Sequence, residues 1–155
     1  YGVGDEGLQQ PHQLGDLSGF YAAFGLAPAR RIHERFDHVA VESEFLAFLY
    51  LMEEHALGLA DPERVEVAVD AEGSFLRSHL GRWGPAFARR VSEQAGGGYY
   101  RALALFALDL IGSDCRLHGV QVGPDQLVLR TIPDDPETAY DCPMSARCPA
   151  EEPAP

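Results

Sequence analysis

The sequence predicts an all-α fold, a single-domain helical bundle followed by an irregular C-terminal tail. Three observations carry this. Apolar residues recur at three- and four-residue spacings from about residue 16 to about residue 112, the signature of helices with one buried face. The breaks between these stretches carry helix punctuation, namely Gly25, Gly58, the Asp61-Pro62 pair and the Gly96-Gly97-Gly98 run. β-prone runs are confined to residues 120–129. At 155 residues, with 46% apolar and 23% charged residues, the chain is long enough for one domain with a real core.

Residues 1–15 are rich in Gly and Gln and read as an irregular lead-in. Asp16 then offers an N-cap for a short helix to Phe24, which places Phe20, Tyr21 and Phe24 on one face. Gly25 stops it, with Pro28 just beyond. Residues 29–35 form a short segment of mixed charge, helix or loop. Asp37 can cap the next helix, which runs to about Leu57 and turns Val41, Phe45, Phe48, Met52 and Ala56 toward the core. Gly58 is its expected stop. Asp61-Pro62 restarts the chain as N-cap and first helical residue, with Val65, Val69, Leu76 and Leu80 as the apolar stripe. Gly81 and Gly84-Pro85 break that helix, and Pro85 opens another to about Ala95 through Phe87 and Val91. After the glycine run a last helix carries Tyr99, Leu103, Phe106 and Leu110 on one face and ends at Gly112-Ser113-Asp114. The two β-prone runs around Gly123-Pro124-Asp125 make a hairpin or an extended arm. The domain is expected to span residues 1–132, and the Pro- and acid-rich residues 133–155 a flexible tail.

Charge and cysteine content narrow the function. Twelve basic residues stand against 24 acidic ones, a net charge of −12, which repels nucleic acid and anionic membranes and attracts cationic partners. No apolar run reaches the length of a membrane span, and no signal peptide is visible. The chain starts at Tyr1 without a Met, so a preceding piece is a reading to keep open. Three cysteines, an odd number, argue against a disulfide framework and fit a reducing compartment. A di-iron carboxylate site needs Glu-x-x-His pairs, and the sequence has none. Cys115, His118, Cys142 and Cys148 could supply four zinc ligands, but the five-residue gap between Cys142 and Cys148 is not a standard knuckle; free thiols are the better reading, and no metal is expected. No base accompanies Cys115, and no phosphate-binding glycine loop follows a strand, so no catalytic residue is expected.

What remains is a polar cluster at the mouth of the longest apolar helix: Glu34, Asp37 and His38, with Glu42 one turn further in. Such groups suit the holding of a partner. Read from the residues alone, Asp37 as a simple N-cap and Glu34 as a solvated balance to Arg30, Arg31 and Arg35 is the more economical account.

These residues also resemble a family motif. Glu34-Arg35-Phe36-Asp37-His38, followed by the helix with Glu42 and Phe45, is similar to the Glu-Pro-x-Asp-His signature of the TorD-type redox-enzyme maturation chaperones, which include NarJ-like assembly proteins. LGDLSGFYAAFGL resembles the segment before the motif. Phe75, Leu76, His79, Leu80 and Trp83 match a later F-L-x-x-H-L-x-x-W segment, and the likeness extends through YYRALALFALDLI. Arg35 stands where the signature has Pro, and the first helices of the family are not found ahead of the motif. The resemblance implies a TorD-like helical bundle and a cytoplasmic chaperone with no catalysis and no cofactor of its own. Its partners would be the apo catalytic subunit of a molybdenum oxidoreductase and that enzyme's twin-arginine signal peptide. The site it implies comprises Glu34, Asp37, His38 and Glu42, with Phe45, Leu80 and Trp83 as apolar wall. An assembly factor that binds only the mature enzyme, like a nitrate reductase delta subunit, is the alternative within the family, and a small metalloprotein using Cys115, His118, Cys142 and Cys148 is the alternative outside it. An incomplete bundle exposes apolar surface and admits a homodimer.

Overall fold

The computed structural model describes residues 9–27 and 35–126, and within them the fold is all-α. Five helices follow in chain order: α1 Gln9–Ala23, α2 Val39–Gly58, α3 Pro62–Ser78, α4 Leu80–Gln94 and α5 Gly98–Leu117. Helix α2 packs along α3 and α4 along α5, with α3 joining the two pairs. Helix α1 lies across the front of α2 and α3 through an aromatic cluster. Phe45 is its centre, with ring centroids 4.8 Å from both Tyr21 and Phe75 and 5.8 Å from Phe24. The rings meet edge to face, the arrangement that aromatic quadrupoles favour. Leu17, Leu46, Leu49, Leu76, Leu80, Ile111, Cys115 and Val120 complete the core. Residues 28–34, the expected domain end at 132, the tail 133–155, Cys142 and Cys148 lie outside the described residues.

Helix ends show where local chemistry decided the fold and where it did not. Asp61 caps α3 as expected, its Oδ1 accepting from the Arg64 N–H at 3.2 Å. Gly25 stops α1 as expected. It adopts φ of 72°, the Gly25 N–H donates to the Ala22 carbonyl, and the Leu26 N–H donates to the Tyr21 carbonyl. The start of α1 differs: the helix begins at Gln9, so Asp16 lies inside it rather than at its cap. Pro11 falls in the first turn, where no backbone N–H is required, and so does not stop the helix from starting early. The stop of α2 also differs. Gly58 is still helical, and Ala60 takes the left-handed position at φ of 54° while the Asp61 N–H returns to the Ala56 carbonyl.

The junction between α3 and α4 comes at His79, two residues before the glycine expected to make it, so Leu80 opens α4 instead of closing α3. Pro85 does not start α4 but sits inside it. A proline there leaves the carbonyl four residues earlier without its helical donor. That carbonyl is Gly81 O, and the Gly123 N–H takes it at 2.9 Å. The bond ties the segment after α5 back onto α4. A side chain at Gly123 would collide with the Arg82 carbonyl, and one at Gly81 with the Leu76 carbonyl and Cys115 Sγ, so both glycines are required by close approach.

Helix α5 runs three residues past Asp114, where its end was expected. It stops instead at Gly119, φ 62°, with the Gly119 N–H on the Arg116 carbonyl and the Val120 N–H on the Cys115 carbonyl. Gly112 is buried within the helix and so is not a breaker. Residues 120–126 form no strand; they are an arm held by the Gly123 bond, and the rest of the expected hairpin lies outside the described residues.

Candidate functional site

The candidate site is built around the turn that enters α2. His38 N–H donates to the Arg35 carbonyl at 3.0 Å, folding residues 35–38 into a tight turn. From α1, the Tyr21 hydroxyl donates to the Phe36 carbonyl at 3.0 Å, and the two rings stack edge to face. Helix α1 therefore fixes the height of the turn above the aromatic core. Burial pushes the Tyr21 phenol up, with the carboxylates of Glu42 and Asp37 adding to the effect, so it remains a hydrogen-bond donor.

The cap of α2 is His38 and not Asp37, a one-residue correction. His38 is extended at φ −77° and ψ 138°, and its Nδ1 accepts from the Ala40 N–H at 3.2 Å. Asp37 is drawn elsewhere because the Arg35 guanidinium takes both of its carboxylate oxygens, at 2.9 and 2.7 Å. That bidentate bond holds the Asp37 carboxyl below the usual range. Both partners face solvent, with 63% and 38% of the Arg35 and Asp37 side chains exposed. Glu34 lies outside the described residues.

Glu42 sits one turn below His38 but in a different environment. His38 is exposed, whereas Glu42 is 1% exposed and faces the core. Its partner comes from α4: the Trp83 indole N–H is shared between Glu42 Oε1 and Oε2, both at 3.2 Å. One shared donor compensates a buried carboxylate poorly. Burial pushes its pKa up to about 8, the Trp83 bond opposing and the Asp37 charge reinforcing the rise. Glu42 is thus mostly a neutral acid at pH 7, and the Glu42–Trp83 bond ties the entrance of α2 to α4.

Of the expected apolar wall, Trp83 is half-buried, while Phe45 and Leu80 are buried in the core. The later motif segment straddles the α3–α4 junction. Phe75 and Leu76 fill the core, and the His79 ring stands against Phe20 at 5.3 Å. The site therefore gathers Asp37, His38, Glu42 and Trp83 with two residues that pattern reading passed over, Tyr21 and Phe36. Tyr21 carried a helical-face signal only; nothing local marks its hydroxyl as the tie to a carbonyl fifteen residues on.

A second polar group lies away from this turn. Glu72 is buried, and its Oε2 approaches His118 Nε2 to 3.2 Å without the alignment of a hydrogen bond. Burial, with Glu53 and Asp114 nearby, pushes Glu72 up to about 7. Cys115 packs against Gly81, and burial raises its thiol pKa. Among the described residues no group of His, Cys, Asp or Glu is arranged to hold a metal ion. No described helix is long and apolar enough to cross a membrane.

Comparison with known proteins meets this geometry from outside. Residues 3–89 match the family model described as nitrate reductase delta subunit. The chaperone protein TorD of Vibrio cholerae serotype O1 (strain O395) is 30% identical over 110 residues, covering 71% of this chain and 49% of that protein. The chaperone protein TorD of Photobacterium profundum is 29% identical over 115 residues, covering 74% and 50%. The chlorate reductase assembly chaperone protein of Ideonella dechloratans is 36% identical over 91 residues, covering 56% and 46%. The chain spans about half the length of the curated relatives it matches. No solved structure matches. With more than half of the chain matched, the turn into α2 and the α3–α4 junction both fall inside the matched region, and the chain belongs to the nitrate reductase delta subunit family, which embraces the TorD-type chaperones.

Proposed function

We propose that this chain is a maturation chaperone that works in the cytoplasm on the apo catalytic subunit of a molybdenum oxidoreductase and on its twin-arginine signal peptide. The observation that supports the reading is the turn at residues 35–38, where an exposed carboxylate already grips a guanidinium. Asp37 holds Arg35 through two bonds, the same bidentate pairing by which it would receive an arginine of a client. The relatives add support, since those named here are chaperones, and one is named for the assembly of chlorate reductase.

In this reading Asp37, with Glu34 beside it in sequence, receives the basic groups of the peptide. His38 holds the turn as the cap of α2. Glu42 and Trp83 brace it from below, and Phe45 and Leu80 act through the core that carries it. The net charge of −12 steers a basic segment toward the chain before any contact is made. Cofactor insertion is the step the chaperone waits for, and the chain supplies binding rather than chemistry.

The experiment is co-expression with the molybdoenzyme subunit of the source organism. Reductase activity and molybdenum content per subunit should rise severalfold with the chain present and fall back with Asp37→Ala. Activity that is the same with and without the chain would refute the proposal. A client lacking its signal peptide that is still matured would point to the alternative, an assembly factor for the mature part of the enzyme.

A further inference from the structure

Helix α5 buries only a narrow strip, Ala104, Ile111, Gly112 and Cys115. Its opposite side is apolar as well. Tyr99 is 73% exposed, Phe106 63% and Leu117 76%, with Leu103 and Leu110 also open. Together with Ser113 these positions repeat at spacings of four, three, four, three and four residues. That is the spacing of a seam which meets another α-helix along its length.

We propose that this exposed face of α5 is the interface through which two copies of the chain associate, as an antiparallel pair of α5 helices. Three observations select a second copy as the occupant. The spacing is the same read in either direction, so a two-fold axis between Phe106 and Leu110 sets Phe106 level with Leu110 of the other copy and Tyr99 level with its Leu117. The charge of α5 is balanced, Arg101 and Arg116 against Asp109 and Asp114, although the chain as a whole carries −12. Two acidic chains meet here with little of the repulsion their other charges would bring, and a basic peptide finds no excess acid to hold it. The seam together with Tyr100 exposes on the order of 700 Å² on each copy, enough to supply most of the roughly 800 Å² each partner brings to a stable interface.

The test is light scattering coupled to size exclusion across a range of concentrations. The variants are Phe106→Glu on the seam and Leu51→Glu, an equally exposed apolar residue on α2. Circular dichroism of each variant confirms that it is folded. The chain and Leu51→Glu should give twice the 16.9 kDa chain mass, while Phe106→Glu weakens association at least about tenfold. Three results would overturn the proposal: a monomer at every concentration, a dimer that survives Phe106→Glu, or a dimer lost equally in both variants. A fourth would do so as well: a monomer whose binding of a twin-arginine peptide disappears with Phe106→Glu, which would assign the seam to the client.

Discussion

Arg35 occupies the carboxylate that a client's basic group would use. The pair is exposed, and exposed ion pairs contribute only about 0.2–1 kcal/mol, so a client arginine can displace it. Removing the internal competitor should therefore help the client. Arg35→Ala is predicted to tighten peptide binding by about two- to fivefold, measured by calorimetry; equal or weaker binding would show that Arg35 shapes the turn instead of competing for it. Glu42 leads to a pH prediction. Its carboxyl rises from an ordinary value of 4.5 to about 8 in the folded chain, so the unfolded chain releases this proton first. The stabilising effect of the bound proton is complete below about pH 4.5 and is lost as pH rises through about 8. The loss is on the order of 3–5 kcal/mol if the site stays closed, and Glu72 adds to it in the same direction up to about pH 7. Urea unfolding read by Trp83, the chain's single tryptophan, should show lower stability at pH 8.5 than at pH 5.5. Glu42→Gln, which keeps an acceptor for the indole, should remove most of that difference; an unchanged pH profile would mean that Glu42 is not the group that titrates.

At the scale of the element, helix ends carry the clearest lessons. Asp61-Pro62 and Gly25 could be read directly, because the side chain or its absence determines the local backbone. Other ends could not, and three of them show why. Ala60 stops α2 in a conformation that suits glycine, and no local rule picks alanine for it. Pro85 reads as a helix start until the Gly123 N–H, distant in sequence, supplies the missing partner. Asp37 reads as a cap until Arg35 claims it. Two predictions follow from the backbone. Ala60→Gly relieves the left-handed strain and should raise stability by about 1 kcal/mol, seen as a higher urea midpoint at unchanged slope. Gly81→Ala forces a methyl group onto the Leu76 carbonyl and Cys115, and should cost more than about 2 kcal/mol; a stable variant would show that the α3–α4 junction shifts more easily than its packing implies.

For the whole molecule, the fold class was legible, as was the gathering of the motif residues at the entrance of α2, and the exposed faces were not. Periodicity reveals that a helix has an apolar face but not what covers it. Tyr99, Leu103, Phe106 and Leu110 form a face as regular as that of α2, yet they lie open, while Ala104, Ile111, Gly112 and Cys115 are the residues α5 buries. Close packing bears on the choice, since Gly84 of α4 leaves room for Ile111, on which a side chain there would press at 2.9 Å. The motif at the entrance of α2 was legible because its residues are close in sequence. The bond from Glu42 to Trp83, 41 residues apart, was not, although both residues stood out singly.

The central claim is that the turn at Asp37 and His38 receives a basic client segment. The most direct measurement is calorimetric titration of the chain with twin-arginine signal peptides of the source organism's molybdoenzymes, repeated with Asp37→Ala and His38→Ala. The account predicts micromolar binding that weakens at least about tenfold in Asp37→Ala, roughly the 1.4 kcal/mol or more of a lost charge-assisted pair, and less in His38→Ala. Binding that is unchanged in both variants, or absent for every peptide, would contradict it.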